Sequence, residues 1–156
     1  MIKIDIPGLK KIDLKYLTLD FNGTLAKDGI LINRVKEKLI NLSEKIEIYV
    51  VTADTFGLAG SELKSVPCQL TIIDSNDQAK EKEKFIKRLG KENVCAVGNG
   101  FNDNLMVKNA ALGISVIQEE GASSVTILNS HIICKSILDA LELLENPKRI
   151  SATLRR

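Results

Sequence analysis

The sequence predicts an α/β fold: a doubly wound, largely parallel sheet with helices on both faces. Short runs of β-branched and apolar residues alternate along the chain with segments whose apolar residues recur every three or four positions. The first pattern is typical of buried strands, and the second of helices that pack one face on a sheet. Because such helices cross over between neighbouring strands, the alternation predicts mostly parallel pairing.

The first half of the chain begins with two strand patterns separated by the turn dipeptide Pro7-Gly8, which can pair them as a hairpin. A second turn is predicted at 27–29. In order, the predicted elements are strands 2–6 and 12–20, helix 32–42, strand 46–51, helix 56–63 and strand 68–73.

The second half continues the alternation with helix 76–89, strand 93–97, helix 103–110, strands 114–117 and 131–134, and helix 137–144. Asn76 or Asp77 is the predicted N-cap of the first helix, and Gly90 its end. Residues 122–128 fit either type of element. The last residues, after Asn146, are predicted to form a basic tail.

Composition limits the classes of function. A chain of 156 residues with 44% hydrophobic residues suits one domain, 1–156. Its 22 basic and 20 acidic residues are interleaved, so no basic stripe predicts nucleic-acid binding. The longest uncharged stretch, 121–134, is too short to cross a membrane, and no secretory signal is visible. With Cys68, Cys95 and Cys134 set apart in apolar runs, we expect reduced thiols and a cytoplasmic location.

A carboxylate ends the strand pattern at Tyr16 to Leu19. Asp20 would lie at the carboxyl end of a buried strand, where open α/β sheets bind their ligands. Gly23 then allows a sharp turn whose backbone N–H groups can bind an anion. An ordinary strand-ending turn explains the same residues. The stretches described next favour Asp20 as a phosphate-accepting nucleophile.

Residues 52–54 place a hydroxyl and a carboxylate at the end of the next buried strand. The Thr52 hydroxyl could donate a hydrogen bond to a phosphoryl oxygen. A helix N-cap is an equally good interpretation of Thr52 and Asp54.

Helix geometry separates one lysine from the others in 76–89. Lys82 falls on the apolar stripe that Phe85 and Ile86 define, whereas the neighbouring lysines fall off it. An inward lysine is costly unless it is paired, so we predict Asp20 and a bound phosphate as its partners. A lysine that reaches solvent from the edge of the stripe is the alternative.

The segment 98–103, with the sequence GNGFND, combines glycines with side-chain oxygens that suit a hard cation. Asp103 also lies on the inner stripe of its predicted helix, together with Met106 and Val107. An Asx-rich turn would explain the composition but not an inward aspartate. Asp103 is therefore predicted to be a site carboxylate.

Together these four stretches resemble the haloacid dehalogenase (HAD) superfamily, and within it the phosphorylation domain of P-type ATPases. DFNGTL at 20–25 is similar to that group's Asp-Lys-Thr-Gly-Thr-Leu, 52–54 to its Thr-Gly-Asp, and 98–103 to its Gly-Asp-Gly-x-Asn-Asp. Order and spacing agree, and the likeness covers roughly residues 12–118. It implies a Rossmann-like, HAD-like sheet.

The resemblance also implies a magnesium-dependent reaction in which Asp20 attacks phosphorus, while a hydroxyl and a lysine neutralise the phosphoryl oxygens. It assigns catalysis to Asp20, Asn22, Thr52 and Lys82. It assigns phosphate binding to Gly23, Thr24, Thr52, Ala53 and Lys82. The implied magnesium ligands are Asp20, the Asn22 carbonyl, Asn99 and Asp103.

Two residues depart from the family pattern. Asn22 stands where family phosphatases carry a second aspartate that protonates the leaving group and activates water, and an amide can do neither. Asn99 stands where the family has a metal-binding aspartate, and Asp103 is expected to compensate. Only about thirty residues separate the first motif from the second, and the second from Lys82, which leaves no room for a cap domain.

The leading hypothesis is a capless, magnesium-dependent phosphohydrolase that acts on a small phosphorylated substrate. The alternative is a catalytically weak phosphate-binding or regulatory domain. A receiver-like signalling domain is disfavoured because it needs an acidic pair on an earlier strand, where only Asp5 and Asp13 occur. Without a cap, we expect a second subunit of a homo-oligomer or a bulky substrate to cover the site. The single histidine, His131, is predicted to be structural.

Overall fold

The structure is a computed structural model that describes residues 1–74 and 76–156. Its strands are β1 Ile2–Ile6, β2 Lys10–Leu14, β3 Tyr16–Leu19, β4 Ala26–Lys27, β5 Ile30–Leu31, β6 Glu47–Thr52, β7 Gln69–Ile72, β8 Val94–Gly98, β9 Leu112–Val116 and β10 Ile132–Cys134. Its α-helices are α1 Val35–Ser43, α2 Ala59–Glu62, α3 Gln78–Leu89, α4 Asn104–Asn109, α5 Ser124–Asn129, α6 Ile137–Glu145 and α7 Pro147–Leu154.

Six parallel strands form the central sheet, in the order β10-β9-β8-β3-β6-β7. The chain winds outward from β3 through β6 to β7, then returns to the other side of β3 and continues through β8, β9 and β10. The direction of winding therefore changes between β3 and β8. Doubly wound sheets bind ligands in the crevice at this point, beyond the carboxyl ends of the strands.

Helices cover both faces of the sheet, as predicted. On one face, α1 and α6 contact each other and bury Leu39, Leu42 and Leu141 against β3 residues such as Leu17. On the other face, α3 and α4 contact each other over a smaller apolar cluster that includes Ile86. Between β3 and β7, the described residues add to the sheet strand β6 only the short β4–β5 hairpin, α1 and α2, so the fold carries no cap domain.

The prediction of a single strand over 12–20 is wrong, because this segment forms parts of two strands, β2 and β3, that are separated at Lys15. β2 pairs antiparallel with β1 in a separate two-stranded sheet, as the hairpin prediction had it, whereas β3 pairs parallel with β6 and β8. The burial pattern shows the same break, since only Ile12 and Leu14 are buried in β2, whereas β3 is buried at every position from Leu17 to Leu19.

The predicted basic tail is also wrong, because α7 occupies most of it. Pro147 stands at the first helical position, where its missing N–H costs nothing. Ile150 is fully buried, and α7 packs against β1. The undecided segment 122–128 contributes most of α5.

The cysteines and the histidine behave as predicted. All three thiols are free, and burial raises the pKa of Cys134 to about 11 and that of Cys95 further. His131 Nδ1 accepts a hydrogen bond from the Gly113 N–H at 2.9 Å, a structural role in the loop before β10. None of the helices within 1–74 and 76–156 has the length and apolarity that a bilayer crossing needs.

Candidate active site

A cavity of about 180 Å³ opens at the carboxyl edge of the sheet, beside the change of winding. Five of the predicted site residues line it: Asp20, Asn22, Thr52, Ala53 and Asn99. They come from the loops after β3, β6 and β8, which are neighbours in the sheet. Parallel strands bring these loops together because all their carboxyl ends meet at one edge.

Lys82 lies beneath the cavity and is completely buried, as the helical stripe predicted. Its Nζ donates to Asp20 Oδ1 at 2.5 Å and to Asp103 Oδ1 at 2.6 Å. Two carboxylates therefore share one ammonium group in the interior. The Asp20 contact confirms one predicted partner of Lys82.

Burial controls the electrostatics of this cluster. It raises the pKa of Asp20 to about 6, the charge of Asp103 adds to the effect, and Lys82 opposes it. Burial alone would lower the pKa of Lys82, but Asp103 and Asp20 raise it well above its ordinary value. At neutral pH the cluster therefore holds a charged lysine and an ionised Asp20.

Asp103 is turned away from the cavity. Its Oδ2 accepts hydrogen bonds from the N–H groups of Asn99 and Gly100, at 3.0 and 2.9 Å, while Oδ1 contacts Lys82. The side chain packs on Gly98, where a Cβ would collide with it. Asp103 thus positions Lys82 and the loop after β8, and it is not among the residues that line the cavity.

The turn after Asp20 is closed by its own backbone. Phe21 O accepts hydrogen bonds from three N–H groups, those of residues 24–26, and Gly23 has a φ of +80°, which favours glycine. Thr24 is fully buried, and its hydroxyl lies 3.4 Å from Asp20 Oδ2 and 3.3 Å from Asn99 Oδ1. Thr24 therefore links the Asp20 and Asn99 side chains from behind the cavity wall.

Thr52 and Asp54 divide the two roles that the sequence allowed. Asp54 is not the N-cap of α2, which is Leu58, but its Oδ1 accepts from the N–H groups of Leu58 and Ala59 at the start of that helix. Thr52 Oγ1 accepts from the Asp54 N–H at 3.0 Å. This bond orients the Thr52 hydroxyl at the cavity wall and leaves its proton available to a ligand.

Sequence reasoning missed four polar residues that line the cavity: Thr55, Gln78, Asn102 and Glu120. Asn102 donates to Gln78 Oε1 at 2.7 Å, which ties the loop after β8 to the start of α3. Glu120 lies in the loop after β9. Glu120 could have been predicted from the sequence, because it is a carboxylate just beyond a parallel strand and on the same edge of the sheet as Asp20.

The donor set of the cavity suits magnesium. The groups that face it are carboxylate and amide oxygens, which hard cations prefer. Asn22 Oδ1 is one of two buried side-chain N or O atoms without a hydrogen-bond partner in the described residues. No group of three or more His, Cys, Asp and Glu side chains is placed to hold a metal in 1–74 and 76–156, so a ligand set must include amide or backbone oxygens.

The fold is similar to that of solved phosphatases and of a putative HAD superfamily hydrolase from Legionella pneumophila, which gives a TM-score of 0.67 at 14% identity, over 90% of this chain and 87% of that one. The chain matches 3-deoxy-D-manno-octulosonate 8-phosphate phosphatase of Moraxella catarrhalis, solved with magnesium, phosphate and KDO, at a TM-score of 0.71 and 19% identity, over 91% of this chain and 94% of that one. The cobalt-bound deoxy-D-mannose-octulosonate 8-phosphate phosphatase of Haemophilus influenzae gives 0.71 at 10% identity, over 92% and 94%. The further likeness to P-type ATPases rests on the motifs alone.

Closer sequence relatives come from Methanocaldococcus jannaschii. The chain is 54% identical to Uncharacterized protein MJ0073 over 78 residues, which cover 47% of this chain and 84% of that protein. It is 51% identical to Uncharacterized protein MJ0072 over 39 residues, which cover 25% of this chain and 89% of that protein. The chain belongs to the family of these proteins. No family model matches it.

Proposed function

We propose that this protein is a magnesium-dependent phosphohydrolase that works through an aspartyl-phosphate at Asp20. The observation that carries the proposal is the position of Asp20: a cavity-lining carboxylate paired with a buried lysine at 2.5 Å, where the winding of the sheet changes. Asp20 is ionised above pH about 6, as a nucleophile must be. The magnesium and phosphate in the M. catarrhalis structure support the same ligands here.

In the proposed reaction, an Asp20 oxygen forms a bond to phosphorus as the bond to the leaving oxygen breaks. Lys82 balances the charge of Asp20 and of the phosphoryl group, and the Thr52 hydroxyl donates to a phosphoryl oxygen. Ala53 offers a backbone N–H group at the rim, whereas the N–H groups of residues 23–26 donate within the turn after Asp20. Water then attacks the phosphorus of the aspartyl-phosphate and releases phosphate with Asp20 regenerated.

Magnesium would be held by Asp20, Asn99 Oδ1 and the Asn22 carbonyl oxygen. The carbonyls on either side are occupied, since Phe21 O closes the turn and Gly23 O accepts from Gln118. The bound ion would neutralise charge on the transferred phosphoryl group. Its effect would add to that of Lys82.

The second candidate is a phosphate-binding or regulatory domain with weak catalysis. Asn22 favours it, because its amide lines the cavity where an acid would be needed and has no titratable proton. Every other part of the anion site would still function. The two candidates differ in the lifetime of the aspartyl-phosphate.

The proposed substrate is a small phosphorylated molecule, an ester or an anhydride. The octulosonate substrate of the M. catarrhalis phosphatase is not carried over, since 19% identity speaks for the fold alone. The cavity lacks a cap, and Phe56 and Phe101 are exposed on the loops after β6 and β8. A second subunit of a homo-oligomer, or a bulky substrate, would supply cover, and the cytoplasmic location stays a prediction.

The test is phosphorylation of the protein by acetyl phosphate with and without magnesium, alongside a panel of phosphate esters. The native chain should acquire acid-stable, hydroxylamine-labile phosphate only with magnesium. Asp20→Asn should acquire none, because an amide is a poor nucleophile of the same shape. Asp28→Asn, an exposed aspartate in the β4–β5 turn, is the matched control and should match the native chain. Label on Asp20→Asn, or none on the native chain, would contradict the proposal.

A further inference from the structure

We propose that Glu120 supplies the carboxylate ligand to magnesium that Asn99 lacks, from the loop after β9. The inference rests on the proposed function, because it concerns the same cation. It is proposed in place of the expectation that Asp103 compensates for Asn99, since Asp103 accepts three hydrogen bonds and does not line the cavity, whereas Glu120 does.

Glu120 reaches the cavity through the space that Gly23 leaves open. A Cβ on Gly23 would collide with Glu120 Oε2 and would lie 2.6 Å from Asn99 Nδ2 and 2.8 Å from Asn99 Oδ1. Glu120 Oε2 and Asn99 Oδ1 are therefore each less than 3.0 Å from the position that a Gly23 Cβ would occupy. Oxygens that bind one Mg²⁺ at ~2.0–2.1 Å lie ~3–4 Å apart, a separation within reach of two such neighbours.

The backbone that carries Glu120 is fixed to the rest of the site. Gln118 Nε2 donates to Gly23 O at 3.0 Å and to Thr24 O at 2.9 Å, while its Oε1 accepts from the Ile137 N–H at 2.8 Å. On the other side of Glu120, Gly121 O accepts from Asn99 Nδ2 at 3.1 Å. The residues on both sides of Glu120 are thus bonded to the loops that carry the other proposed ligands.

The same contacts explain why position 99 carries an amide. Asn99 uses its Nδ2 group to donate to Gly121 O, and only Oδ1 faces Thr24 and Asp20. An aspartate at 99 would lose that donor, turn an oxygen toward the Gly121 carbonyl, and stand beside the Glu120 carboxylate. The neutral Asn99 and the anionic Glu120 are therefore complementary. The carboxylate that the family pattern has at position 99 is supplied here by Glu120, in the adjacent loop.

A solvent-facing surface glutamate would be the simpler interpretation, since Glu120 as a whole is exposed. However, none of the ion pairs in the described part of the chain involves Glu120. Its carboxylate instead lies beside the Asn99 amide and the turn at Gly23. The adjacent Glu119 is also exposed but does not line this cavity, so it provides a matched control.

The experiment is a calorimetric titration of the phosphate-free protein with Mg²⁺. A parallel titration with Mn²⁺, a paramagnetic substitute for Mg²⁺, provides a second measure of binding. We expect Glu120→Gln to weaken binding by about 10- to 100-fold, the range for perturbing a metal site. Glu119→Gln should leave the affinity unchanged, although it removes the same charge one residue away. The double variant Asn99→Asp with Glu120→Gln restores one carboxylate and should recover part of the loss. Melting without metal should show that each variant is folded.

The outcomes separate the two proposals. If the native protein binds Mg²⁺ and Glu120→Gln binds it equally well, the Glu120 assignment is wrong and the proposed function stands. Equal losses in Glu120→Gln and Glu119→Gln would also overturn the assignment, since they would indicate a general charge effect. If the native protein binds no divalent cation, both proposals fail.

Discussion

Lys82 separates the site into two halves that differ in how completely their polar groups are satisfied. In the buried half, Asp103 binds Lys82 and two backbone N–H groups, so both its oxygens are occupied. In the cavity half, Asp20 has the same lysine as partner, but its Oδ2 meets only the Thr24 hydroxyl at 3.4 Å. Two carboxylates with one common partner therefore differ in function: the saturated one is structural, and the unsaturated one is available for chemistry.

The two buried atoms without a hydrogen-bond partner in the described residues extend this comparison. Asn22 Oδ1 belongs to the cavity half, where a ligand could satisfy it. Thr18 Oγ1 lies on β3, two residues before Asp20 and within the interior, where no ligand reaches. An unsatisfied polar atom thus indicates a site only when it borders a cavity.

The largest expected effect concerns Asn22, an amide that cannot act as an acid or base at its position in the cavity half. Asn22→Asp should speed hydrolysis of the aspartyl-phosphate by ~10² to 10⁴, the usual contribution of general acid–base catalysis. The measurement is the decay of hydroxylamine-labile phosphate after acetyl phosphate is removed. Equal decay in the native chain and Asn22→Asp would show that another group already activates water.

The next prediction tests the buried half. Asp103→Asn should lower the free energy of unfolding by up to about 3–5 kcal/mol, because it removes one of the two charge partners of buried Lys82 and alters the carboxylate that accepts from two backbone N–H groups. Asp20→Asn should cost much less, since Asp103 then still pairs with Lys82 and with both backbone N–H groups. Urea unfolding at neutral pH provides the comparison, with Asp5→Asn in an exposed ion pair as a control that changes little. Equal losses at positions 20 and 103 would remove the distinction between the halves.

The pH dependence of stability tests Asp20 more finely. Burial raises its pKa from 3.8 to about 6, so the folded protein holds this proton more tightly than the unfolded chain does. The resulting stability is full below pH about 4 and is lost as pH rises through about 6. Without metal, the native chain should lose on the order of 1–3 kcal/mol relative to Asp20→Asn across this window. A stability difference that stays constant with pH would contradict the raised pKa.

The smallest effect is expected at Thr18. Thr18→Val replaces a buried hydroxyl that has no hydrogen-bond partner among the described residues with a methyl group of similar shape, and should raise stability by about 1 kcal/mol. Phosphorylation of Asp20 should not change. Lower stability in this variant would mean that the hydroxyl has a partner, such as a buried water.

The sequence by itself determined the alternation of strands and helices and the strand-end position of Asp20. It also identified Lys82 as the inward lysine, because a helical stripe is a local pattern. It failed at Lys15 and in α7, although a shift in alternation and a proline at a helix start were both visible there. These failures concern elements outside the parallel sheet, where the βαβ pattern gives no guide.

Only the tertiary structure decided how the polar residues divide among roles. Asp103 and Glu120 are both carboxylates that follow the ends of strands, and no local sequence pattern distinguishes them. In the structure, Asp103 accepts from two backbone N–H groups and Lys82, whereas Glu120 lies beside Gly23. That difference depends on which strands are neighbours, here β3 with β8 and β8 with β9. Local periodicity in the sequence is enough to predict the fold. Which hydrogen bonds a carboxylate accepts depends on residues far apart in the chain, so its chemistry is decided only by its neighbours in space.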